Sequence, residues 1–242
     1  MARFVLVAGA WHGAWCWERI VPLLEARGHE VACPELPGMG ADTTPLADVD
    51  LMVWARSVAR TVEAQPGPAI LAGHSRGGLV IGQVAELVPD RVALSVYLTA
   101  VMPADGETTM DILALVPEGT LIPPAMTPTD DGIAFIPDPQ SMRDLLYQNT
   151  EAALVERALA RLTPEPVFGF TSPLSLSEER FGRVPRAYIE CLDDLTVPLV
   201  LQRAMHARQA CVAVRSLDAD HCPNYSAPEA LAATLDELSA LA

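Results

Sequence analysis

The chain has 242 residues, between one domain and two on a prior of roughly 150 residues each, and its 50% hydrophobic and 19% charged content excludes a disordered or fibrous chain. Sixteen basic residues against thirty-one acidic ones leave a net charge of −15, a surface that repels phosphate backbones and anionic lipid, so no nucleic acid and no membrane is expected as a partner. All sixteen basic residues are arginine, and the lack of lysine excludes Schiff-base chemistry and Walker-type phosphate loops.

Residues 3–8 (RFVLVA) form a short β-branched run, as expected of a strand buried on both faces. A Gly-rich loop follows. Trp17, Ile20, Val21 and Leu24 then share a helical face that stops at Gly28. A second strand near 30–33 leads into a loop, and Leu51, Trp54, Val58 and Val62 repeat at helical spacing up to Pro66–Gly67. Residues 69–73 read as strand, 77–88 as helix and 92–99 as strand.

From Pro103 to about Val184 the pattern changes to a Pro-, Thr- and acid-rich stretch. One amphipathic helix stands out there, with Val155, Ala158, Leu159 and Leu162 on one side. Alternation resumes with strand 186–191, a helix near 198–209, strand 211–217 and a last helix from about 227. Ser226 and Glu229 predict a capping box at its start, and Leu231, Leu235, Leu238 and Leu241 its buried face. Strands alternating with helices imply βαβ units and a mostly parallel central sheet flanked by helices, an α/β fold. The core is expected over 1–102 and 185–242. Residues 103–184 are an insertion after the strand ending near Thr99, long enough to cover something.

Five scattered cysteines without a CxxC pair read as reduced thiols, and no apolar run reaches the ~18 residues a membrane helix needs. The run from Phe4 to Trp11 lacks the basic start and cleavage site of a signal peptide. A cytoplasmic location is expected. No two histidines or cysteines have metal-ligand spacing, so neither metal nor cofactor is predicted.

The sharpest motif is Gly73-His74-Ser75-Arg76-Gly77-Gly78, a G-x-S-x-G between a strand and a helix. A nucleophilic serine on a tight strand-to-helix turn needs small neighbours and sits where a helix N-terminus favours negative charge. The alternative is a Gly-rich turn whose serine merely caps the helix. A base and an orienting acid are required, in the order serine, acid, histidine. His221 lies in the loop after strand 211–217, and Asp193 and Asp194 follow strand 186–191; Asp218 and Asp220 are weaker rivals as the acid. Oxyanion-hole donors are expected from the backbone N–H groups of Arg76 and Ala10. His29, on a surface turn, and His206 read as structural or solvated, His74 as support for the turn, and His12 as a candidate substrate contact.

These blocks, with Phe4 to Trp17, Met102-Pro103, Tyr188 to Asp194 and Asp220-His221, resemble small α/β-hydrolases. The resemblance is to the group of plant methylesterases and hydroxynitrile lyases and to related bacterial esterases. It implies the α/β-hydrolase fold, a helical lid over 103–184, and Asp194 as the triad acid, with Val197-Pro198 beyond it. It also implies ester hydrolysis of a small, largely apolar molecule through an acyl-enzyme, a carboxylesterase activity carried by Ser75, Asp194 and His221. Ala8 departs from the group, many of whose members have histidine there, and Arg76 fills a usually apolar or aromatic position. Arg76 either binds a substrate carboxylate or forms an ion pair behind the turn, the reading favoured here. The lyases' threonine and lysine are replaced by Gly9 and Cys222, which argues against cyanide chemistry.

Trp11, Met102, Leu121, Phe168 and Phe170 are candidates to line the substrate pocket, each also an ordinary core residue. A small-molecule ester is the expected partner, with a homodimer left open. A pathway-specific lyase or cyclase using the same triad, or a non-catalytic ligand-binding protein, remain the alternatives.

Overall fold

The computed structural model describes residues 1–242. Its strands in chain order are β1 (Arg3–Val7), β2 (Glu30–Ala32), β3 (Ala69–His74), β4 (Val92–Leu98), β5 (Met126–Pro128), β6 (Ala134–Pro137), β7 (Glu165–Pro166), β8 (Arg186–Cys191) and β9 (Ala213–Leu217). The helices are α1 (Ile20–Glu25), α2 (Leu51–Glu63), α3 (Gly77–Leu87), α4 (Thr109–Leu113), α5 (Pro139–Leu146), α6 (Ala152–Leu159), α7 (Phe168–Thr171), α8 (Leu199–Arg208), α9 (Pro223–Ser226) and α10 (Pro228–Leu238).

Six strands form one sheet in the order β2-β1-β3-β4-β8-β9, every neighbouring pair parallel. Parallel pairing needs a crossover between successive strands; α1, α2, α3 and α8 supply it everywhere except between β4 and β8, which the segment holding α4 to α7 connects. The alternation along β1 shows how the layers are built. Phe4 and Leu6 pack with Ile20, Leu24, Leu231 and Leu235 of α1 and α10. Val5 and Val7 pack on the other face with Trp54, Val58, Leu79 and Ile81 of α2 and α3. Each fully buried side chain of this size contributes about 1.5–3 kcal/mol, and the two-sided cover keeps β1 apolar from Phe4 to Val7 and β3 apolar from Ala69 to Gly73. Asp50 caps α2 by accepting the Val53 N–H at 2.7 Å, a contact that contributes about 1 kcal/mol.

The segment between β4 and β8 differs from the purely helical insertion expected. Alongside α4 to α7 it holds a three-stranded antiparallel sheet, β5-β6-β7. Its strands are two to four residues long and each ends in proline, too short to display a period of two. In α6, Val155 and Ala158 are buried as the spacing predicts, with Leu159 half-buried.

Two expectations at the C-terminus are corrected. The capping box at Ser226 does not form, because Ser226 is the last residue of α9 and α10 starts with Pro228 after Ala227 at the cap position; the Ser226 hydroxyl donates instead to Asp220 Oδ1 at 2.6 Å. Proline is suited to that first position, where no N–H is needed. Leu231, Leu235 and Leu238 are buried, but Leu241 is 47% exposed, beyond the end of the helix. His29 is likewise no surface residue: it is buried, accepts the Ala2 N–H and bonds Asp236. All five cysteines are free thiols, and no helix is long and apolar enough to cross a membrane.

Candidate active site

β3 runs directly into Ser75, whose φ of 54° lies in the left-handed region, and α3 begins two residues later. The flanking glycines follow from close approach. A Cβ on Gly73 would lie 2.7 Å from the Gly77 carbonyl oxygen, and one on Gly77 would lie 2.9 Å from that of Val7. Only glycine at both positions lets the chain turn this sharply from strand to helix.

His221 Nε2 lies 2.9 Å from Ser75 Oγ, and its Nδ1 lies 2.7 Å from Asp194 Oδ2. Both the imidazole and the carboxylate are buried. The network assigns the tautomer: Nδ1–H donates to Asp194, leaving Nε2 to accept the Ser75 proton. Asp194 is itself fixed, since its Oδ1 accepts the Thr196 and Val197 N–H groups at 2.7 and 2.8 Å and the Thr99 hydroxyl donates to its Oδ2. Asp193 points elsewhere, its exposed carboxylate accepting from Asn149 Nδ2. Asp218 is exposed, and Asp220 is occupied by Cys222 N, Ser226 Oγ and Asn149 N. His74 Nε2 bonds the His221 carbonyl at 2.6 Å and so steadies the loop that presents the imidazole. Burial, then the nearby His221 charge, pushes the His74 pKa well below the usual histidine range.

Ser75, Ala10 and Arg76 all border one cavity of about 420 Å³, in which 11 of 18 lining residues are hydrophobic. Neither the Ala10 nor the Arg76 N–H donates to a backbone carbonyl, so both are free to receive an anionic oxygen. Trp11, Leu121 and Phe170 line this cavity, joined by Val101, Phe135 and Val197, which periodicity did not single out.

Three other candidates lie outside it. Phe168 stands two positions before Phe170 on α7, about 200° round a helix, and packs against Trp54 in a tilted contact with ring centroids 4.5 Å apart. Met102 is buried in the core while its neighbour Val101 faces the cavity. His12 is buried away from it, its Nδ1 bonded to the Ala10 carbonyl at 2.6 Å and its Nε2 to the Tyr147 hydroxyl. Of the two readings of Arg76, the ion pair is the one observed, with Nε 2.7 Å from Glu165 Oε1. Sequence reasoning missed Glu165 altogether; a lone acid 89 residues from its partner carries no local signal.

The family model described as the alpha/beta hydrolase family matches residues 4–234. The chain belongs to the alpha/beta hydrolase family. Pyrethroid hydrolase of Sphingobium wenxiniae is 35% identical over 97% of this chain and 86% of its own length. Methylesterase 2 of Arabidopsis thaliana is 32% identical over 99% and 95%. Among solved structures, polyneuridine aldehyde esterase superposes with a TM-score of 0.89 at 26% identity, covering 99% of both chains.

Gly9 lies close against the nucleophile turn. A Cβ there would lie 2.9 Å from both His74 Nδ1 and Ser75 Cβ, so a threonine fits only if the turn moves. Cys222 is fully buried, and burial raises its thiol pKa well above the ordinary value. It supplies no cation beside His221.

Proposed function

We propose that this alpha/beta hydrolase is a carboxylesterase that hydrolyses a small, uncharged, largely apolar ester through an acyl-enzyme on Ser75. The observation that carries the reading is the unbroken relay from Asp194 through His221 to Ser75, opening onto an apolar cavity beside two unpaired amides. Ser75 Oγ adds to the ester carbonyl carbon and passes its proton to His221 Nε2, while the carbonyl π pair moves onto oxygen. The Ala10 and Arg76 N–H groups stabilise that oxyanion. Asp194 holds the imidazole in register and stabilises its charged form. Collapse expels the alkoxide, which takes the proton from His221. Water then repeats the sequence on the acyl-enzyme, returning Ser75 and releasing the acid.

The insertion acts as a lid, since it contributes Leu121, Phe135 and Phe170 to the cavity wall. The similarity to a pyrethroid hydrolase and a methylesterase supports an ester substrate, and the apolar lining supports one without a charge. Five free thiols agree with a reducing, cytoplasmic setting.

The test is turnover of a p-nitrophenyl ester series from acetate to octanoate by the wild type and by Ser75→Ala, with labelling by a serine-directed phosphonate. Turnover that rises with chain length and falls by about 10⁴-fold or more in the variant is expected. Wild-type protein that labels yet turns over no ester points to a lyase or cyclase. Protein that neither labels nor turns over is a binding protein.

A further inference from the structure

Two side chains that take no part in the steps above form a buried ion pair beside them: Arg76 is 2% exposed and Glu165 0%. Removing two charges from water offsets most of their mutual attraction, so a buried pair is a weak source of stability. What distinguishes this pair is what else it holds. Arg76 Nη2 donates to the Gly9 carbonyl at 2.9 Å, and Glu165 Oε2 accepts the Trp11 N–H at 2.9 Å. Arg76 Nε donates to Glu165 Oε1 at 2.7 Å, with the guanidinium 4.2 Å over the Trp54 ring. The two anchored groups flank Ala10 on either side.

The Gly9 carbonyl and the Ala10 N–H belong to one planar trans peptide and point in opposite directions. Holding the carbonyl on Arg76 therefore aims the N–H the other way. A rotated peptide would present its oxygen where the oxyanion forms and repel it. Trp11 has a φ of 63°, a conformation that a bulky residue adopts only when its surroundings impose it. Glu165 grips its N–H, and the Thr163 N–H donates to its carbonyl at 3.0 Å. Glu165 belongs to β7 of the insertion, and Thr163 lies just before it.

We propose that Arg76 and Glu165 are positioning residues that fix the Gly9–Ala10 peptide plane for oxyanion binding and make that geometry depend on a seated insertion. This rests on the acyl-transfer reading of Ser75. A structural ion pair alone would change melting temperature, whereas the clamp sets the energy of the charged tetrahedral state. The discriminating readouts are the split between kcat and KM, and the affinity for an alkyl trifluoromethyl ketone relative to a methyl ketone of equal length. In the trifluoromethyl adduct, Ser75 Oγ bonds to the carbonyl carbon, its proton goes to His221 and the π pair becomes an oxyanion in the same site.

The variants are Arg76→Met with Glu165→Met, which removes both charges together, and Arg76→Lys. The latter keeps a cation opposite Glu165 but has one nitrogen and loses the second arm to Gly9. Rates are taken per phosphonate-titrated site, so unfolded protein does not count. A loss of about 10²-fold in kcat is expected for the double variant, and about tenfold for Arg76→Lys. KM is expected to stay near wild type, with trifluoromethyl ketone affinity falling alongside kcat and methyl ketone affinity unchanged. Either folded variant with wild-type kcat and wild-type ketone discrimination overturns the clamp alone. Wild-type enzyme without Ser75-dependent turnover removes the acyl-transfer reading, and the clamp with it.

Discussion

His12→Asn is expected to flatten the acid side of the stability profile. Burial lowers the His12 pKa from 6.5 to about 4, against a hydrogen bond to the Ala10 carbonyl that raises it, with the His221 and Arg76 charges adding to the fall. The same ring in the unfolded chain protonates near 6.5. Between these two values the unfolded chain binds the extra proton, so stability rises with pH across that window and is lost as pH falls through it. Fully developed, this single group accounts for about 3 kcal/mol. Asparagine keeps a nitrogen donor near the position of Nδ1 for the Ala10 carbonyl but does not titrate. Near pH 5.5 the slope of unfolding free energy against pH is therefore expected to drop by about 1 kcal/mol per pH unit. The remaining slope belongs in part to His74, whose lowered pKa acts in the same direction. Urea unfolding followed by tryptophan fluorescence from pH 4.5 to 7.5 measures both slopes. Because lost packing shifts the whole curve without tilting it, equal slopes in wild type and variant would refute a neutral, buried His12.

Asp194→Asn is expected to cut kcat by about 10⁴-fold while leaving the fold intact, because the amide still offers an oxygen to the Thr196 and Val197 N–H groups but not a carboxylate to His221 Nδ1. Steady-state kinetics with circular dichroism on the same samples checks it. Leu113→Trp, on the cavity wall, is expected to lower kcat/KM for the octanoate ester by about tenfold relative to the acetate. Equal losses for both esters would mean that this wall does not hold the acyl chain.

Legibility in the sequence tracked how local the physics was. The parallel sheet could be read because β1 and β3 are buried on both faces and so appear as unbroken apolar runs. Ser75 could be placed because the two close backbone approaches that demand Gly73 and Gly77 lie within the same turn. The general rule that loops at the carboxyl ends of parallel strands converge points to His221 and to the pair Asp193 and Asp194, and the resemblance to small α/β-hydrolases selects Asp194. The insertion was opaque for the opposite reason. Its sheet uses strands too short to carry a period of their own, and β7 pairs with β6 about 30 residues before it. Phe168 and Phe170 are alike in sequence, and only the helix between them sends one to Trp54 and the other to the cavity. Ser226 had the residues of a cap, but it ends α9, and the cap position of α10 falls on Ala227.

The hold of Thr163 and Glu165 on Trp11 has a bearing on how such a protein can diversify. A segment that shapes the chamber yet also braces the turnover machinery is not an interchangeable part. Exchanging it for a stretch without a glutamate at this position would import a new chamber and leave Arg76 without its partner. Under the clamp proposed above, a change of chamber in this chain is also a change of rate.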